Sequence, residues 1–215
     1  MPLRARGAAR GQACAVLTSK AMAEPATTLR AMTLEEWAGL AEDEPGELVD
    51  GRLEEEEVAS WAHEIVVSWL IGLFRAWIVP RGGFVLGSET KLAVGPARGR
   101  KPDVVVFFGA SSLPPRRSSL TRTPPDIVVE VVTNTPRDAR RDRVEKKPDY
   151  ASFGVGQYWL IDPEARTLEV LAPDQRGRFV EVLAQAEGTH EVAGCEGLVV
   201  DLDALWAELE RWPEE

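Results

Sequence analysis

The sequence predicts an α/β domain in which a mixed central β-sheet is flanked by helices. Three observations carry this reading. From Ser60 to Val79 the apolar residues recur near a helical period, whereas from Gly83 onward they gather in short Val- and Phe-rich runs separated by Gly, Pro, Ser and Arg. One of those runs, Ile127-Val128-Val129-Glu130-Val131-Val132, has no polar alternation, so both its faces need cover, as in a central strand packed between helices. A chain of 215 residues with 44% hydrophobic content is long enough to close one substantial core. Residues 1–31, with scattered arginines among alanines and no apolar periodicity, read as a disordered N-terminal extension, and 32–215 as a single domain.

Along the chain, Thr33 with Glu36 three residues on has the spacing of a capping box, predicting a short helix to about Leu40. Glu47-Leu48-Val49-Asp50-Gly51-Arg52-Leu53 sets Asp-Gly between two apolar arms, a strong hairpin signal. The long helix runs from Ser60 to Val79, with Pro80 stopping it. Phe84 to Val94, Pro102 to Phe108 and Asp126 to Val132 read as strands. A helix from about Pro136 to Phe153 crosses to a strand at Gln157 to Ile161; Leu168 to Leu171 and Phe179 to Leu183 extend the sheet antiparallel, and Asp201 to Trp212 closes with a helix.

The net charge of -10 argues against a protein that coats nucleic acid through overall basic surface. Residues 137–147 run the other way, with six Arg or Lys against three Asp or Glu, so an acidic chain can carry one basic face, here including Arg140 and Lys147. The longest apolar stretch, Val66 to Phe74, is below the ~18 residues that span a bilayer, and no membrane span is expected. Two distant cysteines, Cys14 and Cys195, build neither a disulfide framework nor a metal site, which suits a reducing cytoplasm.

Glu130 is the most informative residue. A carboxylate inside an apolar strand costs several kcal/mol to desolvate unless it is paired, protonated or bound to a metal. A structural ion pair with a nearby Arg or Lys is one solution. Asp103, opening the strand after Lys101-Pro102, offers another: two carboxylates at neighbouring strand positions make a hard oxygen site suited to Mg²⁺ or Mn²⁺. Such an ion polarises a phosphate and helps generate hydroxide, and a nearby lysine, Lys146 or Lys147, would neutralise charge in the transition state. Taken alone, Pro-Asp before a valine run also fits a plain turn. His63 on the long helix is either a hydrogen-bonded packing residue or a catalytic base. Glu89 is placed on the strand before Asp103, as a further ligand or a surface group. Arg100 and Lys101 lie in a basic loop beside the proposed site, placed to meet phosphate. Tyr150, Tyr158 and Trp159 are taken as core.

Glu47-Leu-Val-Asp-Gly-Arg-Leu, His63, Arg100-Lys-Pro-Asp103-Val-Val-Val, Pro125-Asp-Ile-Val-Val-Glu130-Val-Val, the spacing from Asp142 to Lys146 to Tyr150, and Gly154-Val-Gly-Gln-Tyr-Trp-Leu-Ile-Asp-Pro163 together resemble the Uma-two family, a group described as putative restriction endonucleases within the PD-(D/E)xK nuclease superfamily. The resemblance spans roughly residues 32 to 185. It implies a restriction-endonuclease-like PD-(D/E)xK core, divalent-metal-dependent cleavage of phosphodiester bonds, and a homodimer; with the carboxylate pair suited to Mg²⁺ or Mn²⁺, the leading expectation is an endonuclease acting on DNA. Carried over by position, Asp103 and Glu130 match the two acidic metal ligands, and Glu47 the additional acid near the start of the core. Val132 stands where the superfamily motif has its lysine, a charge this family supplies from the next helix, at Lys146 here. Pro148 departs from the expected helix and predicts a kink just after Lys146, with Lys147 an acceptable substitute. The alternative is a catalytically inactive nuclease fold serving as a nucleic-acid-binding or dimeric interaction module, which the acidic net charge and the missing lysine at 132 favour. A purely structural dimerisation protein would need Glu130 paired with an arginine.

Overall fold

The computed structural model describes residues 30–41, 46–55, 58–109, 113–133 and 135–213, apart from the side chain of residue 138. The N-terminal extension, save its last residues, lies outside them. The capping box forms as its spacing predicts: Thr33 Oγ1 accepts from the Glu36 N–H, and the Glu36 carboxylate accepts from the Thr33 N–H, opening α1 (Leu34–Ala38). The Asp-Gly pair turns β1 (Glu47–Val49) into β2 (Arg52–Glu54); Asp50 and Gly51 have φ of 50° and 75°, the left-handed conformation of a type I′ turn. Ser60 caps α2 (Trp61–Ile78), whose helical path runs on through one 3₁₀ turn, Val79–Arg81, before Gly82 ends it.

The run from Phe84 to Val94 is two strands, not one. β3 (Phe84–Gly87) pairs with β6 (Val104–Phe107), whereas β4 (Leu92–Gly95) joins β5 (Arg98–Arg100) in another sheet. Glu89 therefore sits in the turn between β3 and β4 rather than on a strand. The smaller sheet has the order β2-β1-β5-β4. In the larger, β7 (Ile127–Val131) lies between β6, antiparallel, and β8 (Gln157–Asp162), parallel, with β9 (Thr167–Pro173) and β10 (Phe179–Gln185) added antiparallel. The order β10-β9-β8-β7-β6-β3 is the expected mixed sheet.

A crossover of three helical pieces joins the parallel pair: α3 (Pro136–Arg140), a π-helical turn (Arg141–Glu145) and α4 (Lys146–Phe153). A short hairpin of β11 (Thr189–Glu191) and β12 (Val199–Asp201), which the sequence pattern does not signal, precedes α5 (Leu202–Glu210).

Strand alternation sorts β7 between two cores. Ile127, Val129 and Val131 face α2 and α5, packing with Val66, Leu70, Phe74 and Trp206. Val128 and Val132 face the other way, with Tyr150, Tyr158, Leu160 and Leu92. Glu130 shares the parity of Val128 and Val132, which aims it toward α4. By length and hydropathy α2 could cross a membrane, but Val66, Val67, Leu70, Phe74, Trp77 and Ile78 bury one of its faces in the core.

The smaller sheet closes on Trp37, fully buried, whose indole N–H donates to Gly46 O at 3.0 Å. Gly99 is where the ring passes β5: a Cβ there would stand 2.2 Å from a ring carbon. Gly99→Ala is expected to lose about 1–3 kcal/mol by overpacking, read as a lower urea midpoint at unchanged slope. Burial pushes the Cys195 thiol up to about 11, against a weak lowering from its bond to Gln157, so the thiol stays protonated and enclosed at pH 8. Alkylation mapped by mass spectrometry should label Cys195 only after denaturation.

Candidate active site

β7 is apolar because both its faces are covered, and it delivers Glu130, 2% exposed, into the middle of the protein. The residue before β6 is Asp103. The register pairs Val104 with Val129, so one step further sets Asp103 across from Glu130, at one end of the central strands. Asp103 Oδ2 accepts from the Val131 N–H at 2.7 Å and lies 3.2 Å from His63 Nε2.

Glu130 is satisfied from α4. Lys146 Nζ donates to its Oε2 at 2.9 Å and the Tyr150 hydroxyl to its Oε1 at 2.6 Å, two donors one helical turn apart. Lys146 also lies 3.0 Å from Asp142 Oδ1 and 3.6 Å from Glu47 Oε1. The irregularity signalled by Pro148 comes before Lys146 rather than after it. Proline has no N–H to give the Val144 carbonyl, and the turn ahead of it is already opened to π spacing, with the Lys146 N–H bonded to Arg141 O. Lys146 thus reaches Glu130, and Lys147, half-buried, is not among the residues lining the cleft.

The ammonium is outnumbered by carboxylates. Burial, the largest influence, raises the Glu130 carboxyl well above its usual range; Lys146 opposes this, while Asp142, Asp103 and Glu47 reinforce it. Asp142 is raised for the same reasons. Burial lowers the Lys146 ammonium, but Glu130, Glu47 and Asp142 more than reverse this and hold it charged. At His63 burial also lowers, and the hydrogen bond and charge of Asp103, with Glu64, overcome it to leave the imidazole raised. Among the described residues its buried Nδ1 finds no hydrogen-bond partner, approaching Glu64 Oε1 only at 3.5 Å.

His63, Glu89, Lys101, Asp103, Glu130, Asp142 and Lys146 line one cleft of about 280 Å³, together with Glu64, Arg141, Ser88 and Thr133. Glu89 is exposed at its rim and bonded to Lys101 at 3.1 Å. Four of the residues singled out from sequence lie elsewhere. Arg100 is 1% exposed and gripped by Glu47 and Asp149, so a phosphate contact is excluded; it ends a strand, not a loop. Glu47 is equally buried and stands behind the cleft wall, bonded to Arg100 and to the Lys101 N–H. Arg140 is exposed and pairs with Glu145, outside the cleft, as is Lys147. Tyr150 is core, as expected, but its hydroxyl also serves Glu130 directly. The spacing of Asp142, Lys146 and Tyr150 was the available signal for that.

A family model, Uma2, described as "Putative restriction endonuclease", matches residues 32–205. The chain belongs to the Uma2 family. A crystal structure described as that of a putative nuclease belonging to DUF820 from Anabaena variabilis ATCC 29413 is 20% identical and superimposes with a TM-score of 0.68 over 83% of this chain and 99% of that one. At that identity it establishes the fold, which is restriction-endonuclease-like. No curated protein matches the chain. Val132 is buried with Tyr150 and Tyr158, and Lys146 reaches the Glu130 carboxylate from the following helix.

The buried pair gives a signed pH prediction, measured in EDTA. Without its ammonium, Glu130 in Lys146→Met is held neutral by burial. A carboxyl raised on folding stabilises fully below its unfolded value of about 4.3 and loses that contribution as pH rises through the folded value. Lys146→Met is therefore expected to lose about 3–5 kcal/mol relative to the parent at pH 8 and much less at pH 5. Adding Glu130→Gln should remove most of the difference. Equal loss at both pH values would show that the two side chains are not coupled.

Proposed function

We propose that this chain is an endonuclease that hydrolyses phosphodiester bonds in DNA with Mg²⁺ or Mn²⁺, acting as a homodimer in the cytoplasm. The observation that carries the reading is the convergence of Asp103, Glu130 and Lys146 on one open cleft, with more carboxylates around the lysine than it can neutralise. Family membership and the restriction-endonuclease-like fold support a nuclease, and the reducing environment suited to a buried free Cys195 supports the compartment.

The donor set fits a hard divalent cation. Among the described residues no three His, Cys, Asp or Glu side chains form a ready metal cage. Mg²⁺ is commonly held by one or two carboxylates and keeps several waters. Asp103 would supply Oδ1, which has no hydrogen bond from the described residues, and Glu130 the remaining lone pairs of oxygens already oriented by Lys146 and Tyr150. Bound there, such a cation polarises the phosphate and lowers the pKa of its water.

The protein's own groups do the rest. Lys146, held charged, lies beside the carboxylates to offset negative charge developing on a phosphate or to orient a water. Lys101 at the cleft wall can pair with a phosphate in exchange for Glu89. His63 orients Asp103 through Nε2, and the raised proton affinity of its imidazole favours the charged form beside that carboxylate.

Mn²⁺ is expected to raise the melting temperature of the parent and to leave Asp103→Asn nearly unmoved. Plasmid DNA should be cut with Mg²⁺ or Mn²⁺ by the parent, and at least about 10²-fold more slowly by Asp103→Asn or Glu130→Gln. Cutting that persists in both variants, or a parent unmoved by either cation, would overturn the reading.

A further inference from the structure

Arg100 sits three residues before Asp103 and is almost fully buried. All three of its guanidinium nitrogens are used. Nη1 donates to Glu47 Oε2 at 2.6 Å, while Nε and Nη2 both donate to Asp149 Oδ2, at 2.9 and 2.7 Å. Each partner leads toward the cleft by a separate path. Glu47 Oε1 accepts from the Lys101 N–H at 2.9 Å, fixing the segment that carries Asp103, and lies 3.6 Å from Lys146 Nζ. Asp149 lies on α4, three residues after Lys146, and Arg98 holds its other oxygen at 3.0 Å.

We infer that Arg100 is a positioning residue for the cleft: by gripping Glu47 and Asp149 together it sets the separation between the strand segment bearing Asp103 and the helix bearing Lys146. Three physical arguments support this. A planar guanidinium makes directional bonds along two edges, so it fixes the angle between β5 and α4 as well as their distance, which a lysine's point charge does not. It also decides a competition. Engaged by Arg100, Glu47 stays at 3.6 Å from Lys146 and leaves that ammonium closer to Glu130, at 2.9 Å, and Asp142, at 3.0 Å. Because Pro148 removes one backbone bond from α4, the Asp149 anchor holds the turn that follows Lys146 where the helix's own ladder is weakened. The effect on turnover rests on the nuclease reading; the geometry does not.

The test compares Arg100→Lys and Asp149→Asn with Val170→Ala, which thins the core away from the cleft. Arg100→Lys leaves Glu47 and Asp149 poorly matched and can fail to fold; Asp149→Asn keeps the shape of its side chain and secures the experiment. In metal-free ¹H–¹⁵N spectra the buried Lys146 ammonium gives a protected signal, assigned by its loss in Lys146→Met. That signal is expected to shift or broaden in Asp149→Asn and to stay put in Val170→Ala at comparable loss of melting temperature. With Mn²⁺ and DNA, Asp149→Asn should lower kcat by about 10²-fold at little change in KM, the effect of misplaced rather than missing groups. An unmoved ammonium signal in Asp149→Asn, or a kcat no lower than that of Val170→Ala, would show that Arg100 only holds the fold. Should the parent not cleave DNA, the nuclease reading fails by itself, and the ammonium signal alone still decides the inference.

Discussion

The buried pair of Glu130 and Lys146 is the interaction on which the rest of the cleft depends. A carboxylate at this depth would cost several kcal/mol if left alone, and burying a lone ammonium costs as much. Each is tolerable because the other is there, and because Tyr150 takes the second carboxylate oxygen. That requirement reaches back into the fold. β7 must carry its acid on the face opposite α2, α4 must follow β7 and lie on that face, and Lys146 and Tyr150 must be spaced one helical turn apart so both reach the same carboxylate. The parallel β7–β8 pairing delivers this, since its crossover is the segment that contains α4.

With Glu47 engaged by Arg100, one ammonium is left between Glu130 and Asp142, and this imbalance links packing to chemistry. Burial first, and then the neighbouring like charge, make Glu130 and Asp142 hold protons more tightly, while the carboxylates keep Lys146 from losing its own. A polyanion approaching the cleft meets Glu64, Glu89, Asp103, Glu130 and Asp142 against Lys101, Arg141 and Lys146. His63, with its raised affinity for a proton, lies in the same lining. The overall charge of -10 points the same way, since a surface this acidic supplies little counterion release.

Local rules were legible in the sequence and distant partnerships were not. The capping box at Thr33, the Asp-Gly hairpin and the caged Glu130 each depend on residues within a few positions, or on one strand's alternation. Arg100 was misplaced for the opposite reason. In Gly-Pro-Ala-Arg-Gly-Arg-Lys-Pro the arginines look solvated, and nothing nearby reveals that Glu47 and Asp149, 53 and 49 residues away, will bury one of them. The split of Phe84 to Val94 has a similar cause. Both halves are β-like, but Gly87-Ser88-Glu89-Thr90 makes a turn held by the Thr90 hydroxyl and N–H on Gly87 O, and this sends β4 to another sheet.

Pro148 shows how a local defect can serve a site when tertiary contacts compensate. A regular helix from Pro136 would place successive side chains 100° apart, and the single π turn at Arg141–Glu145 shifts that phase just before Lys146. Asp142 lies in the widened turn and Lys146 follows it, with the two side chains 3.0 Å apart. Tyr158 steadies the turn from β8, its hydroxyl donating to the Asp142 carbonyl at 2.8 Å. The backbone of the widened turn is thereby tied to the sheet. With the turn pinned by Tyr158 on one side of Lys146 and by Asp149 on Arg100 at the other, the lysine's direction is set by the two sheets rather than by the helix that carries it.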